Sequence, residues 1–288
     1  CKNILILFFL ICTNSTFPDD VTKEISPRWK VSCAPPINKR AYKKLSENSF
    51  QFHVDVGDVG GCETDRRSYK DKYIEFYSEF GRLLKEGAYQ EFEHKDSIVE
   101  LLRFKSTKEE GFVSLKDYVN RMDADQKSIY YITGHNEVSL SDSPLLEMYD
   151  EKNIEVLILD DEIDEIVITS IPKYDDKELK SVNRSGAADE LSDKSNKKNI
   201  KELEPLIKKI KKVLGDKVKD VRISKRLNDS PSCLVADEND PTSQMQEIMK
   251  SMGQPNLPDI KPIFEINPKN KIVKKLQNMK RGKTFDDI

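Results

Sequence analysis

A strand, helix, strand pattern in the middle of the chain most limits what it can fold into. Ser128 to Thr133 is β-branched and aromatic, and Ile154 to Leu159 is an almost continuous apolar run. Between them, Ser143 to Lys152 begins with a capping serine and a first-turn proline. A helix over 164–171 and a short strand over 180–183 follow. Because unbroken apolar strands joined by a helix suit a parallel sheet covered on both faces, the pattern predicts a small three-layer α/β sandwich.

Amphipathic helices are predicted before this sandwich. Between Tyr69 and Leu84 the apolar residues recur at three- and four-residue steps, which predicts one helix face and an end near Gly87. Two shorter helices are predicted from Asp96 and from Ser114, because each side chain can accept hydrogen bonds from free amides of a first turn.

The last third of the chain alternates helices and strands after a polar linker near residue 190. Leu203 to Leu214 has one apolar face, and its lysines at 208, 209, 211 and 212 are expected on a solvated outer face. No aromatic residues interleave with these lysines, so a nucleic-acid surface is not favoured. The remaining predicted elements are strands 218–224 and 232–236, helix 241–252, strand 262–266 and helix 271–279.

These segments predict an α/β (α+β) chain of three parts. Residues 1–65 contain scattered prolines and a glycine cluster, show no period beyond about eight residues, and are expected to be irregular or frame-shifted sequence. Residues 66–190 are the α/β sandwich, and residues 191–288 are a mixed α+β domain. The length of 288 residues allows two modest cores.

Composition and cysteine spacing argue against three kinds of function: nucleic-acid binding, membrane association and zinc binding. Charged residues are 34% of the chain but the net charge is only −3, which argues against a dedicated nucleic-acid binder. The apolar run Ile4 to Cys12 would be about 14 Å long as a helix, too short to cross a bilayer, so no membrane association is expected. No cysteine pair has zinc-site spacing, and Cys233 is predicted to be a buried small hydrophobe.

Five carboxylates directly after strand 154–159 form the first candidate site. With His135 as a partner they could bind a metal or act as acid and base, which would make the chain a small metal-dependent α/β enzyme. The competing interpretation is a helix start stabilised by the helix dipole, and no second ligand group stands at a recognisable spacing. The five residues are Asp160, Asp161, Glu162, Asp164 and Glu165.

A methionine stripe on helix 241–252 forms the second candidate site. Its members stand at i, i+3, i+4 and i+7, and Asp240 is predicted to cap the helix with Pro241 in its first turn. Flexible thioethers adapt to varied apolar partners, but the same period suits an ordinary core helix. The stripe consists of Met245, Ile248, Met249 and Met252.

Ordered segments of the chain resemble bacterial members of the heat-shock protein 90 family. Residues 128–134, 143–147 and 154–165 resemble the distal middle domain of that family. Residues 229–237, 244–254 and 265–268 resemble its C-terminal domain in the same order. The resemblance extends from about Tyr69 to Met279.

The resemblance implies an ATP-dependent chaperone that binds partly unfolded client proteins, assists their folding, and works in the cytoplasm as a homodimer. ATP and Mg²⁺ are cofactors of the intact family members. The family's nucleotide-binding domain and its arginine-bearing loop have no counterpart in this sequence, and the dimerisation helices would follow Ile288. We therefore expect this chain to hold no cofactor and to be inactive as an ATPase by itself.

The resemblance also implies that Met245, Ile248, Met249 and Met252 face client proteins. Neither nucleic acid nor membrane is an expected partner. A structural scaffold without client binding is the remaining alternative, and it differs only in whether the methionine face is buried.

Overall fold

The computed structural model describes the backbone of residues 4–8, 42–46, 49–54, 63–191, 197–251, 260–279, 282 and 285, and the side chains of residues 71–191, 203–251, 260–279, 282 and 285. Two compact units are present, Cys1–Leu101 and Leu102–Ile288. The predicted boundary near residue 190 lies within the second unit, and a division of the chain there stays a prediction. Within the described residues, no helix is both long enough and apolar enough to cross a bilayer.

The first unit contains a three-stranded antiparallel sheet. Its strands are β1 (Ile4–Phe8), β2 (Tyr42–Ser46) and β3 (Ser49–Val54), with β3 between the other two. They lie in the stretch expected to be irregular. The strands are only five or six residues long, and residues 1–65 sustain no period beyond about eight residues, so the sequence did not predict this sheet.

Two helices follow in the same unit, α1 (Glu63–Gln90) and α2 (Lys95–Val99). The predicted apolar face of α1 is confirmed at Tyr77 and Leu84, which are buried, but not at Phe80 and Leu83, which are exposed. The helix does not end at Gly87, as the sequence predicted, but three residues later. A glycine inside a helix costs only about 1 kcal/mol relative to alanine. Ala88, the next residue, is fully buried, and this packing favours continuation of the helix past Gly87.

The second unit is built on a five-stranded mixed sheet in the order β4–β6–β5–β8–β7. Central strand β5 is parallel to both neighbours, whereas the edge strands β4 and β7 are antiparallel to theirs. Every residue of β5 and β6 is buried, as expected for strands covered on both faces. The strands are β4 (Lys105–Ser106), β5 (Ser128–Thr133), β6 (Val156–Leu159), β7 (Lys173–Tyr174) and β8 (Lys177–Ser181).

Short helices surround this sheet, and two of their predicted caps are confirmed. Ser114 and Asp117 form a reciprocal capping box, and the Ser143 hydroxyl accepts from the backbone N–H of Leu145. The single helix predicted over 143–152 is a 3₁₀ turn, Pro144–Leu146, followed by a short α-helix. The helices are α3 (Leu115–Arg121), α4 (Glu137–Ser141), α5 (Glu147–Glu151) and α6 (Asp164–Thr169).

A second, three-stranded sheet lies in the same unit in the order β10–β11–β9. Strand β11 is antiparallel to β10 and parallel to β9. The elements of this part are α7 (Lys197–Leu214), β9 (Asp220–Ile223), β10 (Ser232–Val235), α8 (Ser243–Ser251), β11 (Ile263–Ile266) and α9 (Lys271–Asn278). Together with the five-stranded sheet they confirm the predicted mixed α/β fold.

Among the described residues of the second unit, two apolar clusters account for part of the core. The first packs β5, β6 and the 143–154 segment together with Val235 and Ile263 from the three-stranded sheet. The second packs α7 against β9, β11 and α9. The predicted inner face of α7 is confirmed by Leu203, Leu206 and Ile210, all of which are buried.

Candidate functional site

The methionine stripe lies on helix α8 (Ser243–Ser251), which begins two residues later than the sequence predicted. Met245, Ile248 and Met249 are all half-buried, so they are neither sealed in the core nor fully exposed. Met252, the fourth predicted member, lies outside the described residues. Ser243, Glu247 and Lys250 on the opposite face are exposed, which makes α8 amphipathic as its sequence indicates.

Helix α8 is capped by Thr242 and not by Asp240, which corrects the sequence prediction. The Thr242 hydroxyl accepts a hydrogen bond from the backbone N–H of Met245 at 3.2 Å. The carboxylate of Asp240 instead pairs with Lys219 at 2.6 Å. With its predicted cap bound elsewhere, the helix begins two residues later than Pro241.

The same threonine anchors α8 to α6. Its hydroxyl donates to Oε1 of Glu165 at 2.9 Å, and only 3% of Thr242 and 1% of Glu165 are exposed. Gln244, one residue into the helix, is also buried, and among the described residues its side-chain amide has no hydrogen-bond partner. The start of α8 is therefore fixed through a buried polar contact, whereas the stripe residues are partly open to solvent.

The outer face of α8 makes one further contact. Nε2 of His135 and Oε2 of Glu247 are 3.1 Å apart, and both side chains are largely exposed. His135 was predicted as a partner of the acidic cluster, but its ion-pair partner within the described residues is this glutamate of α8.

The acidic cluster after β6 has structural contacts instead of a shared ligand site. Asp160 and Glu137 both bind the ammonium group of Lys105, at 2.8 and 2.7 Å. Burial would lower the pKa of Lys105, but the hydrogen bonds and charges of these two carboxylates raise it above its ordinary value. Asp164 accepts from the backbone N–H of Asp161 at 3.1 Å, which holds the turn that begins α6.

The acids of the cluster also differ in exposure. Asp164 and Glu165 are buried, Asp160 and Asp161 are half-buried, and Glu162 is exposed. Among the described residues, no three His, Cys, Asp or Glu side chains are grouped so that they could hold a metal ion. Because these carboxylates stabilise the start of α6 and its contact with α8, a metal-dependent enzyme is not favoured.

Cys233 on β10 packs beside the first apolar cluster. Burial raises the pKa of its thiol to about 12, and the nearby Glu265 carboxylate acts in the same direction. A thiol with this pKa is protonated at neutral pH and is a weak nucleophile. The side chain therefore behaves as the partly buried small hydrophobe that the sequence predicted.

Sequence reasoning missed the anchoring role of Thr242 and Glu165. The capping signal was present, because a threonine stands three residues before Met245. The sequence favours Asp240 as the cap because it directly precedes Pro241, and proline is common in a first turn. Glu165 was grouped with its acidic neighbours, and only the packing of α6 against α8 separates it from them.

Comparison with known proteins identifies relatives over most of the chain. A family model described as Hsp90 protein matches residues 62–287. A protein of Treponema denticola named Chaperone protein HtpG is 50% identical over 227 residues, which are 76% of this chain and 36% of that protein. Proteins of the same name are 46% identical over 213 residues in Borreliella burgdorferi and over 238 residues in Campylobacter jejuni.

The matched regions cover 74% of this chain and 34% of the Borreliella protein, and 81% of this chain and 38% of the Campylobacter protein. The chain thus spans little more than a third of the length of these relatives.

Proposed function

The chain belongs to the Hsp90 family, and we propose that it binds partly unfolded client proteins as part of an HtpG-type molecular chaperone. The contact surface in this proposal is the methionine stripe of α8. Relatives at 44–50% identity carry the name chaperone, which supports a role in protein folding.

The observation that carries the proposal is the half-buried state of Met245, Ile248 and Met249 on a helix whose first turn is fixed. A core stripe would be sealed, and an exposed stripe on a loose helix would collapse onto the protein. Here the start of α8 is anchored by Thr242, while thioether and isoleucine side chains remain partly accessible. Methionine repacks against varied apolar shapes at low cost, which suits binding to clients without a common sequence.

Cofactor, partners and location belong to the same proposal. We propose that this chain binds neither ATP nor Mg²⁺, since its glycine cluster at residues 56–61 lacks the Gly-Lys-Ser/Thr sequence of a phosphate loop. ATP, Mg²⁺ and a homodimer are assigned to the intact family members. The location proposed for the protein is the cytoplasm.

The client surface is tested by Met249→Asp in the full chain. We expect the variant to bind a permanently unfolded protein, such as reduced and carboxymethylated α-lactalbumin, about tenfold more weakly, because a carboxylate must lose water where an apolar client contact forms. Fluorescence anisotropy with the labelled client measures the dissociation constant. The melting temperature should stay close to that of the parent, because the site is only half-buried.

Lys250→Asp is the matched control, because it places the same carboxylate on the exposed face of the same helix. It should leave client binding within about twofold of the parent. If Met249→Asp instead lowers the unfolding free energy by several kcal/mol, the stripe is core packing and the client-surface assignment is wrong.

A further inference from the structure

Two helices of the second unit combine many lysines with few acids. On α7 the segment 205–214 contains four lysines and no carboxylate. Lys211 pairs with Asp220, and Lys209 donates to the carbonyl of Met279. Lys208 and Lys212 are exposed, and no described carboxylate lies within ion-pair distance of either one.

Helix α9 is still more one-sided in charge. From Asn267 to Met279 the sequence contains four lysines and no acid. Lys271, Lys274 and Lys275 are exposed, and the part of the chain with described side chains offers none of them an ion-pair partner. Beside them Ile272 is 51% exposed, although Val273 of the same helix is buried. Helix α9 thus presents positive charge and one accessible apolar side chain together.

The two helices pack against each other and share one apolar cluster, to which Leu206 of α7 and Val273 of α9 both belong. Both helices therefore carry exposed lysines around one shared apolar cluster, and we call this set of lysines the basic face. It consists of Lys208, Lys212, Lys271, Lys274 and Lys275. Within the part of the chain whose side chains are described, none of these five lysines has an ion-pair partner, although the net charge of the chain is −3.

Exposed lysines without a described ion-pair partner also occur elsewhere in the second unit, at Lys116, Lys127, Lys152 and Lys173, but they stand singly on separate segments. Four further lysines have carboxylate partners. Lys105, Lys180, Lys219 and Lys225 each lie within ion-pair distance of at least one acid. Unpaired like charges on neighbouring helices repel each other and contribute nothing to folding. A bound anionic partner would remove this repulsion, so the charge distribution favours a binding surface.

We propose that the basic face binds an acidic peptide segment of a partner protein, one that carries a bulky apolar residue to contact Ile272. Single-stranded nucleic acid is disfavoured, because the basic face has no aromatic side chain on which bases could stack. A lipid surface is disfavoured because Ile272 alone provides too little apolar area to insert, as Val273 belongs to the core. The proposal is independent of the methionine stripe and of client binding.

Fluorescently labelled peptides test this proposal on the full chain. The probe is a short peptide of aspartate and glutamate with two leucines, and its counterparts carry lysine in place of the acids or serine in place of the leucines. The parent chain should bind the acidic leucine peptide and not the lysine peptide. Neutralising Lys212, Lys271, Lys274 and Lys275 to glutamine should weaken binding about tenfold, since each exposed ion pair contributes a fraction of a kcal/mol.

The matched control neutralises four exposed lysines elsewhere in the second unit, Lys116, Lys127, Lys152 and Lys173, and has the same net charge. It should bind the acidic peptide like the parent. Ile272→Ser should weaken binding of the leucine peptide but not of the serine peptide. An equal loss of peptide affinity in both four-lysine variants would overturn the proposal. It would also be overturned if the chain bound duplex DNA or phosphatidylglycerol vesicles through these lysines and did not bind the acidic peptide.

Discussion

Arg226 is fully buried, and its guanidinium group has acceptors on several sides. It donates to Glu265 of β11 at 3.2 Å and to the backbone carbonyls of Val182 and Arg184 at 2.5 and 2.9 Å. Ser224 donates a further hydrogen bond to the same glutamate at 2.9 Å. The Arg226 side chain thus joins the segment after β8 to both β9 and β11. Because its charge is paired and its N–H groups are hydrogen-bonded, the free-energy cost of burying it is reduced.

We predict that Arg226→Met lowers the free energy of unfolding by about 3–5 kcal/mol, because it leaves the buried Glu265 without its cation. Urea unfolding followed by circular dichroism measures this loss. Arg222→Met is the control, since Arg222 forms an exposed pair with Asp220 and should contribute at most about 1 kcal/mol. Equal, small losses for both variants would contradict the role assigned to Arg226.

Residue-scale predictions from local signals were confirmed in some places and wrong in others. The predicted cap Asp96 is wrong, because α2 already begins at Lys95 and its N-cap residue is His94. Ser114 and Ser143 cap helices as predicted, because capping depends only on residues two or three positions away. Asp240 was predicted wrongly because Lys219, distant in sequence, binds its carboxylate. Arg226 gave no signal at all, since its acceptors come from two segments that are distant in sequence, residues 182–185 and Glu265.

At the scale of elements, the turn between β9 and β10 is held by the first residue of α5. The carboxylate of Glu147 accepts hydrogen bonds from the backbone N–H groups of Asn228, Asp229 and Ser230, at 2.6, 2.9 and 3.0 Å. Burial by itself would raise the pKa of Glu147, but a hydrogen bond with the Ser230 side chain and those from the three N–H groups outweigh it and hold the pKa below its ordinary value. The turn is therefore bound to α5 through a charged acceptor.

This contact makes stability depend on pH in a defined direction. Because the pKa of Glu147 is lower in the folded chain, its contribution is complete above the unfolded pKa of about 4.3 and is lost as pH falls through the folded value. Glu147→Gln should therefore cost about 1–2 kcal/mol at pH 7 and progressively less in acid.

Urea unfolding of this variant and the parent at pH 7 and at about pH 3 checks the prediction. Glu162→Gln is the control, since Glu162 is exposed, and it should change stability little at either pH. A cost for Glu147→Gln that grows as the pH falls would contradict the account.

Element types were predictable where a period was long or a strand was buried on both faces. Strand β5 has the predicted bounds, and the inner face of α7 is the predicted one. Strands β4 and β7 could not be predicted, because two residues carry no period and pair only where a neighbouring strand is present. Helix α4 was missed for the same reason, since its five residues bury only Leu140.

At the scale of the whole molecule, the sequence predicted the family from segments that occur in the same order, and the match over residues 62–287 confirms it. The candidate site was harder to predict, because the stripe on α8 has the same period in a core helix as in a binding surface. A core helix and a binding surface differ only in how far the stripe and its neighbours are buried. That burial depends on the packing of α6 against α8, and no sequence signal links these two helices.

Client binding at the methionine stripe is the central claim, and site-specific photo-crosslinking tests it most directly. A photoreactive phenylalanine analogue replaces Ile248 in the full chain, and the same analogue replaces Lys250 in a control. After irradiation with labelled, permanently unfolded α-lactalbumin, we predict a crosslinked product from position 248 that unlabelled client suppresses, and little product from position 250. Equal crosslinking from both positions, or none from position 248, would contradict the account.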